Sequence, residues 1–219
     1  MTEGQIRKAC AARYAPNKNF QGFAIGKLLL DPAYPETARR LKDSPLPLLD
    51  IGCGTGLLAL YLKFHGHNGA GKALDTDAVK IDAARIGLAK DLPAMEFLCG
   101  SAESLPDFSG DVVMLDVLHY FDVEGQTRLL NEVADRIAPG GRAIVRIGVR
   151  DESWRYRITV IEEWFIHATK WIPVKGSYFP SIDEVCEPFR KRGFEARVDP
   201  MWGLTPFNSY LFEFRRRDA

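Results

Sequence analysis

From Leu46 onward, short continuous runs of apolar residues alternate with stretches in which apolar residues recur at helical spacing. The first run, Leu46-Pro47-Leu48-Leu49-Asp50-Ile51, ends in a glycine-rich turn, as a buried parallel strand does. Leu57, Leu60, Tyr61 and Phe64 then mark one helical face, which stops near Gly66. Lys72-Ala73-Leu74-Asp75 reads as a second strand, Asp77 to Lys90 as a second helix and Glu96-Phe97-Leu98-Cys99 as a third strand. Asp111 to Leu118 is the clearest strand pattern in the chain. A further helix carries Leu129, Leu130, Val133 and Ile137 on one face and stops at Pro139-Gly140-Gly141; Ala143 to Ile147 forms a fifth strand. Repeated strand–helix–strand units predict a parallel sheet with helices on both faces.

The rhythm changes towards the end. Ser181-Ile182-Asp183-Glu184 predicts a helix opened by a capping box, with Gly193 just past it. Phe194 to Val198 and Tyr210 to Phe214 are both strand-like, and the loop from Asp199 to Ser209 is too short for a crossover helix. These two strands are therefore expected to be antiparallel neighbours. Two segments fall outside the alternation. Residues 1–45 precede the first strand, and residues 150–180 are dense in aromatic side chains. In the latter, Trp154, Ile158, Ile161 and Phe165 recur at helical spacing and read as a core stripe, whereas His167, Trp171 and Tyr178 lie off it or beyond it.

Composition narrows the reading. A chain of 219 residues with 46% hydrophobic content fits a single domain, 1–219, able to bury roughly 70% of its unfolded surface without a disulfide or metal. Lys plus Arg and Asp plus Glu both number 29, so the net charge is zero and no nucleic-acid partner is expected. The four cysteines are dispersed without a C-x-x-C pair, which predicts reduced thiols and no metal site. His65-Gly66-His67 lacks further ligands nearby and reads as a solvated helix end. No signal peptide or apolar run of ~20 residues is apparent, so a cytoplasmic protein with no membrane partner is expected.

The chemistry concentrates at the first turn. Gly52-x-Gly54-x-Gly56 lets backbone approach a ligand, and the following helix aims its N–H groups at the same place. This spacing is shorter than the G-x-G-x-x-G of dinucleotide binders, and no Tyr-x-x-x-Lys hydride-site pair accompanies it. Asp75 ends the second strand about 20 residues on, where an acidic side chain accepts from both hydroxyls of a ribose.

Five segments come in one order: Leu49-Asp50-Ile51-Gly52-Cys53-Gly54-Thr55-Gly56, Ala73-Leu74-Asp75-Thr76-Asp77, Gly100-Ser101-Ala102-Glu103-Ser104-Leu105-Pro106, Asp111 to His119, and Ile137-Ala138-Pro139-Gly140-Gly141. Together they resemble the successive motifs of class I S-adenosylmethionine-dependent methyltransferases of the small-molecule type, over residues 46–147. The resemblance implies an α/β fold: a Rossmann-like, doubly wound, seven-stranded sheet, mostly parallel with an antiparallel last strand. It implies S-adenosylmethionine as cofactor, with Asp50, Gly52, Cys53 and Gly54 beside its methionine portion, Asp75 on the ribose and Thr76 under the adenine. Ser101 and Ala102 would meet the adenine edge, although many members carry Asp where Ser101 stands, and Asp116 and Val117 would face the amino group and sulfonium region.

On this reading residues 1–45 form a lid from which Arg13, Tyr14 and Lys18 reach the cofactor carboxylate or the acceptor. Residues 46–149 are the cofactor-binding core, 150–180 cover the acceptor, and 181–219 supply the last helix and strand pair. Methyl transfer from a sulfonium chiefly needs alignment and exclusion of water, with a general base only where the acceptor loses a proton. His119, just after the fourth strand, is the candidate base. No Asn/Asp-Pro-Pro-Tyr/Phe motif and no Pro-Cys pair of nucleic-acid methylating classes occurs here. A small, apolar or aromatic acceptor is expected, and either a monomer or a homodimer. A non-catalytic protein that binds the cofactor as a scaffold or regulator is the competing reading.

Overall fold

The computed structural model describes residues 1–158, 178–203 and 208–216. The chain divides into two compact units, Met1–Val113 and Met114–Ala219. The division falls within the fourth strand.

The first unit opens with three helices, α1 (Glu3–Arg13), α2 (Lys18–Leu30) and α3 (Ala33–Leu41). Thr2 and Gln5 close a capping box on α1, and Asn17 caps α2 by accepting from the Asn19 and Phe20 N–H groups. Then follow β1 (Leu48–Ile51), α4 (Leu57–Phe64), β2 (Gly71–Asp75), α5 (Ala78–Gly87), β3 (Met95–Cys99) and β4 (Asp111–Leu115), which runs across the division. Strands β1 and β2 pair in parallel with Asp50 opposite Ala73, and β2 and β3 with Asp75 opposite Cys99. All four residues of β1 are buried, as a central parallel strand requires.

Helix α4 is buried from Leu57 to Leu62, with no polar face along that stretch, because α1 and α3 pack on it. Its Tyr61 is fully buried, meets the Tyr34 ring edge-on at 5.8 Å and donates its hydroxyl to Glu3 at 2.8 Å. Arg13 adds a bidentate ion pair to Asp91 at 2.7 and 2.8 Å. Residues 1–45 are thus three helices fastened to their own unit by buried and paired groups.

The second unit continues from β4 through a single 3-10 turn at Leu118–Tyr120 to α6 (Val123–Asp135) and β5 (Arg142–Gly148). It ends with α7 (Ile182–Arg190), β6 (Phe194–Pro200) and β7 (Ser209–Arg216). The strand order is β3-β2-β1-β4-β5-β7-β6, a seven-stranded sheet. Strand β7 runs antiparallel to both neighbours, with Ile147 opposite Tyr210 and Val198 opposite Phe212. The expected sheet and its antiparallel ending are both present. Ser181 and Glu184 form the expected capping box, and Gly193 follows α7 with φ +79°.

Three sequence expectations need correction. The fourth strand stops at Leu115, not Leu118, because Asp116 takes φ +57°, in the left-handed region that breaks a ladder. His67 is not solvated: it is 5% exposed, and its Nδ1 accepts from the Gly69 N–H at 3.1 Å. Burial holds its basicity below that of ordinary imidazole. Trp154, assigned to a core stripe, is 59% exposed, with the Arg155 guanidinium 4.8 Å from its ring. Residues 154–158 are helical, and that turn faces Trp154 outward. Ile161, Phe165, His167 and Trp171 lie outside the described residues.

Packing in the second unit centres on aromatic rings. Phe189 of α7 stacks on Phe214 of β7 at 3.7 Å, Phe194 meets Phe189 edge-on at 5.9 Å, and all three are buried. Phe214→Ala should cost about 3–5 kcal/mol, because it opens a cavity beneath α7. Urea unfolding followed by far-UV circular dichroism measures this, and a loss under about 1 kcal/mol would mean that α7 is not seated on that ring.

Candidate functional site

The first unit builds a candidate site around the turn after β1. Gly52, Gly54 and Gly56 all have positive φ, at +75°, +55° and +76°. At Gly56 an added Cβ would lie 2.7 Å from the Phe97 ring, so glycine is required for packing as well as for conformation. At Gly54 an added Cβ would meet nothing within 4 Å, so the backbone there borders open space. The Gly52 and Cys53 N–H groups both donate to the Leu74 carbonyl, at 2.8 and 3.0 Å. This ties the turn to the last residues of β2.

Asp75 then locks the turn. Its Oδ2 accepts from the Gly54 N–H at 2.8 Å, and its Oδ1 from the Asp77 N–H at 2.9 Å. A carboxylate has about four acceptor positions, so both oxygens retain capacity for a ligand hydroxyl. Asp77 caps α5 by accepting from Val79 and Lys80, the role that keeps it off the ligand side. The loop after β3 is drawn to the same edge by the Gly100 N–H, which donates to the Asp75 carbonyl at 3.0 Å. Ser101, in that loop, is half-buried and accepts from the Glu103 N–H at 3.1 Å, and Ala102 is buried. Thr76 is exposed beside Asp75.

Asp50 is the electrostatic anomaly. It is 3% exposed, and its Oδ2 has no hydrogen-bond partner. Burial pushes its carboxyl up to about 7, and the Asp75 charge adds to the effect. An orphaned carboxylate oxygen at a glycine turn suits a cationic or hydrogen-bond-donating ligand group, which fits the ammonium-bearing methionine portion of S-adenosylmethionine. Cys53 is buried too, and burial raises its thiol well above the ordinary range, which leaves it unfit as a nucleophile.

Tyr14 reaches the same turn from α1's C-terminal end. Its ring is buried, and its hydroxyl donates to the Thr55 carbonyl at 3.0 Å. It thereby supports the glycine turn. Arg13 is held by Asp91, and Lys18 is exposed at the start of α2. The structure therefore gathers Asp50, Gly52, Cys53, Gly54, Asp75, Thr76, Ser101 and Ala102 along the ends of β1, β2 and β3.

The second unit carries Asp116, Val117 and His119. Asp116 is half-buried with a left-handed backbone, and its N–H donates to the Arg146 carbonyl at 3.0 Å. The same Arg146 grips its carboxylate with Nε at 2.7 Å from Oδ1 and with Nη2 on Oδ2. Arg146 was missed by sequence reasoning. The available signal was a charged residue inside the apolar run Ala143 to Ile147, which calls for a buried partner. His119 is half-buried in the 3-10 turn, its ring 4.2 Å from that of Tyr120. Tyr178 donates its hydroxyl to Glu184 at 3.0 Å, and its ring lies 5.2 Å from the Arg150 guanidinium. Among the described residues no group of His, Cys, Asp or Glu is arranged to hold a metal.

Comparison with known proteins gives a consistent picture. Residues 48–141 match the methyltransferase-domain family. The chain is 29% identical over 140 residues to the mitochondrial ubiquinone biosynthesis O-methyltransferase of Candida albicans, which covers 61% of this chain. This chain spans 41% of the length of that relative. Among solved structures, it resembles magnesium protoporphyrin IX methyltransferase from Synechocystis PCC 6803 with bound SAH. That likeness has a TM-score of 0.66 at 18% identity, over 84% of this chain and 82% of the other. It also resembles the [4+2]-cyclase SpnF, with a TM-score of 0.65 at 17% identity, over 85% of this chain and 81% of the other. The two structures share the fold with this chain.

The Asp50 carboxyl sets a pH test. Its folded value of about 7 lies above the ordinary 3.8, so across that window the folded chain holds a proton that the unfolded chain has lost. Stability contributed by this group is therefore present at low pH and lost as pH rises towards 7. Relative to Asp50→Asn, the ligand-free wild type should lose on the order of 2–3 kcal/mol between about pH 5 and pH 8. Chemical unfolding of both proteins at each pH measures the difference, and parallel curves would show that Asp50 is ionised throughout.

Proposed function

We propose that this chain is a class I S-adenosylmethionine-dependent methyltransferase that transfers a methyl group from S-adenosylmethionine to a small, largely apolar or aromatic metabolite, a reading supported by its matched domain and its fold. The observation that carries this reading is the glycine turn clasped by Asp75, with an unpartnered Asp50 oxygen beside open space at Gly54. Asp75 would hold the ribose hydroxyls with its remaining lone pairs. Thr76 would lie by the adenine, Ser101 and Ala102 would meet its edge, and Asp50 with Gly52, Cys53 and Gly54 would surround the methionine portion. Asp116 and Val117 would border the sulfonium end.

When bound, the cofactor supplies an already activated methyl group. The protein's work is then to align the acceptor in line with it and to exclude water. Arg146 fixes Asp116 by its main chain and its side chain together, which holds the Asp116–Val117 turn still. His119 would take the acceptor's proton where the acceptor is a hydroxyl, because imidazole is the side chain whose ordinary range of charge change includes neutral pH. Tyr14 would keep the glycine turn in shape beside the cofactor. Support for a small acceptor comes from the balanced charge of the chain and from the names of its relatives, which concern ubiquinone and a porphyrin.

Calorimetry with S-adenosylmethionine and with NAD tests the cofactor. Tight binding of the first alone is expected, and preference for NAD would overturn the assignment. Asp75→Ala should weaken that binding on the order of tenfold to a hundredfold, since two charge-assisted hydrogen bonds are lost along with the clasp on Gly54. Turnover against fractionated metabolites then separates an enzyme from a scaffold. His119→Gln should lower kcat by about 10²–10⁴ with cofactor affinity unchanged, and an unaltered kcat would remove His119 from the chemistry.

A further inference from the structure

Helix α2 is built against the usual rule for a surface helix. Of its thirteen residues only Ala24 and Leu28 are buried. Four large apolar side chains point outward: Phe23 at 53% exposure, Ile25 at 45%, Leu29 at 61% and Leu30 at 59%. At about 100° per residue they spread over roughly 160° of the helix circumference. A helical partner would need a narrow seam, about two residues per heptad, whereas this arc is as wide as the half-cylinder that an interfacial helix immerses. Gly22 and Gly26 fall within the arc, and an added Cβ at either meets nothing within 4 Å.

Charge points the same way. Residues 4–30 contain five basic residues, Arg7, Lys8, Arg13, Lys18 and Lys27, and no Asp or Glu, in a chain that balances 29 of each sign. Arg7, Arg13 and Lys27 are paired with Glu3, Asp91 and Asp31. Lys8 and Lys18 are exposed and make no ion pair among the described residues, and Lys18 stands on the same arc as Leu29. An apolar arc that carries the Lys18 ammonium and no carboxylate matches an anionic lipid surface, in which acyl chains lie beneath phosphates.

We propose that α2 lies flat on anionic lipid membranes, with Phe23, Ile25, Leu29 and Leu30 at the acyl-chain boundary and Lys18 among the phosphates. Thirteen residues are too few to span a bilayer, and among the described residues no helix is long and apolar enough to do so. The earlier expectation of no membrane partner rested on that length rule, which excludes spanning and leaves surface binding open. The inference is independent of the methyl-transfer reading.

Flotation of the whole chain with vesicles of phosphatidylcholine and phosphatidylglycerol in equal parts, at low salt, tests it. Binding to these vesicles and not to pure phosphatidylcholine is expected. The double variant Leu29→Ser with Leu30→Ser should bind at least roughly tenfold more weakly, with its circular dichroism and melting unchanged because both side chains are exposed. Lys18→Glu should weaken binding roughly fivefold or more and reduce its salt dependence. Wild-type chain that stays with the pellet, or a double variant that floats as well as wild type, would overturn the proposal. So would a dimer in light scattering that the double variant splits, without lipid binding, since that assigns the arc to a second copy.

Discussion

The hydrogen bond from the Gly54 N–H to Asp75 Oδ2, 2.8 Å long, joins two elements that the sequence places 21 residues apart. It closes the turn after β1 onto the end of β2. The two N–H groups that Gly52 and Cys53 give to the Leu74 carbonyl set the same registry in the backbone. The shape of the turn at Gly54 depends on this closure. Gly54 faces open space because its N–H points back at Asp75, and the loop after β3 arrives at the same edge through Gly100 and the Asp75 carbonyl. A parallel sheet makes the arrangement cheap, since successive strands end on the same side.

That closure also creates an electrostatic cost. Asp75 has its oxygens engaged by two backbone donors, whereas Asp50 faces it from β1 with a buried oxygen that has none. A structure built for stability alone would place Asn or an apolar residue at position 50. Strain of this kind is characteristic of positions that a ligand completes, because the missing partner arrives with the ligand. The second unit solves a comparable problem internally. Asp116 sits in a left-handed conformation unusual for a side-chain-bearing residue, and Arg146 holds it by main chain and side chain at once.

Much of this was legible in the sequence. Among the described residues, the strand and helix order from Leu46 onward follows from the two hydrophobic periods, which report directly which side of each element is covered. Asp77 as a cap, the capping box at Ser181 and the glycine turn are local motifs whose chemistry depends on a few neighbouring residues. The sequence was least legible where a partner lies far along the chain. Tyr14 reads like any tyrosine in a lid, and only its meeting with the Thr55 carbonyl, 41 residues on, makes it a support for the turn. His67 looked like a solvated helix end, yet it is buried against the rest of its unit.

What the sequence determined by itself was therefore the kind of sheet, its antiparallel ending and the identity of the turn that marks the site. Propensity, period and glycine spacing are properties of adjacent residues. Only the tertiary structure decided which polar groups stand alone and which are answered: the Asp50 Oδ2 without a hydrogen-bond partner, Asp116 paired with Arg146, and the apolar side chains of α2 turned outward. Burial and pairing are set by groups brought together from distant positions. Their free energy therefore appears only once the chain has closed around them.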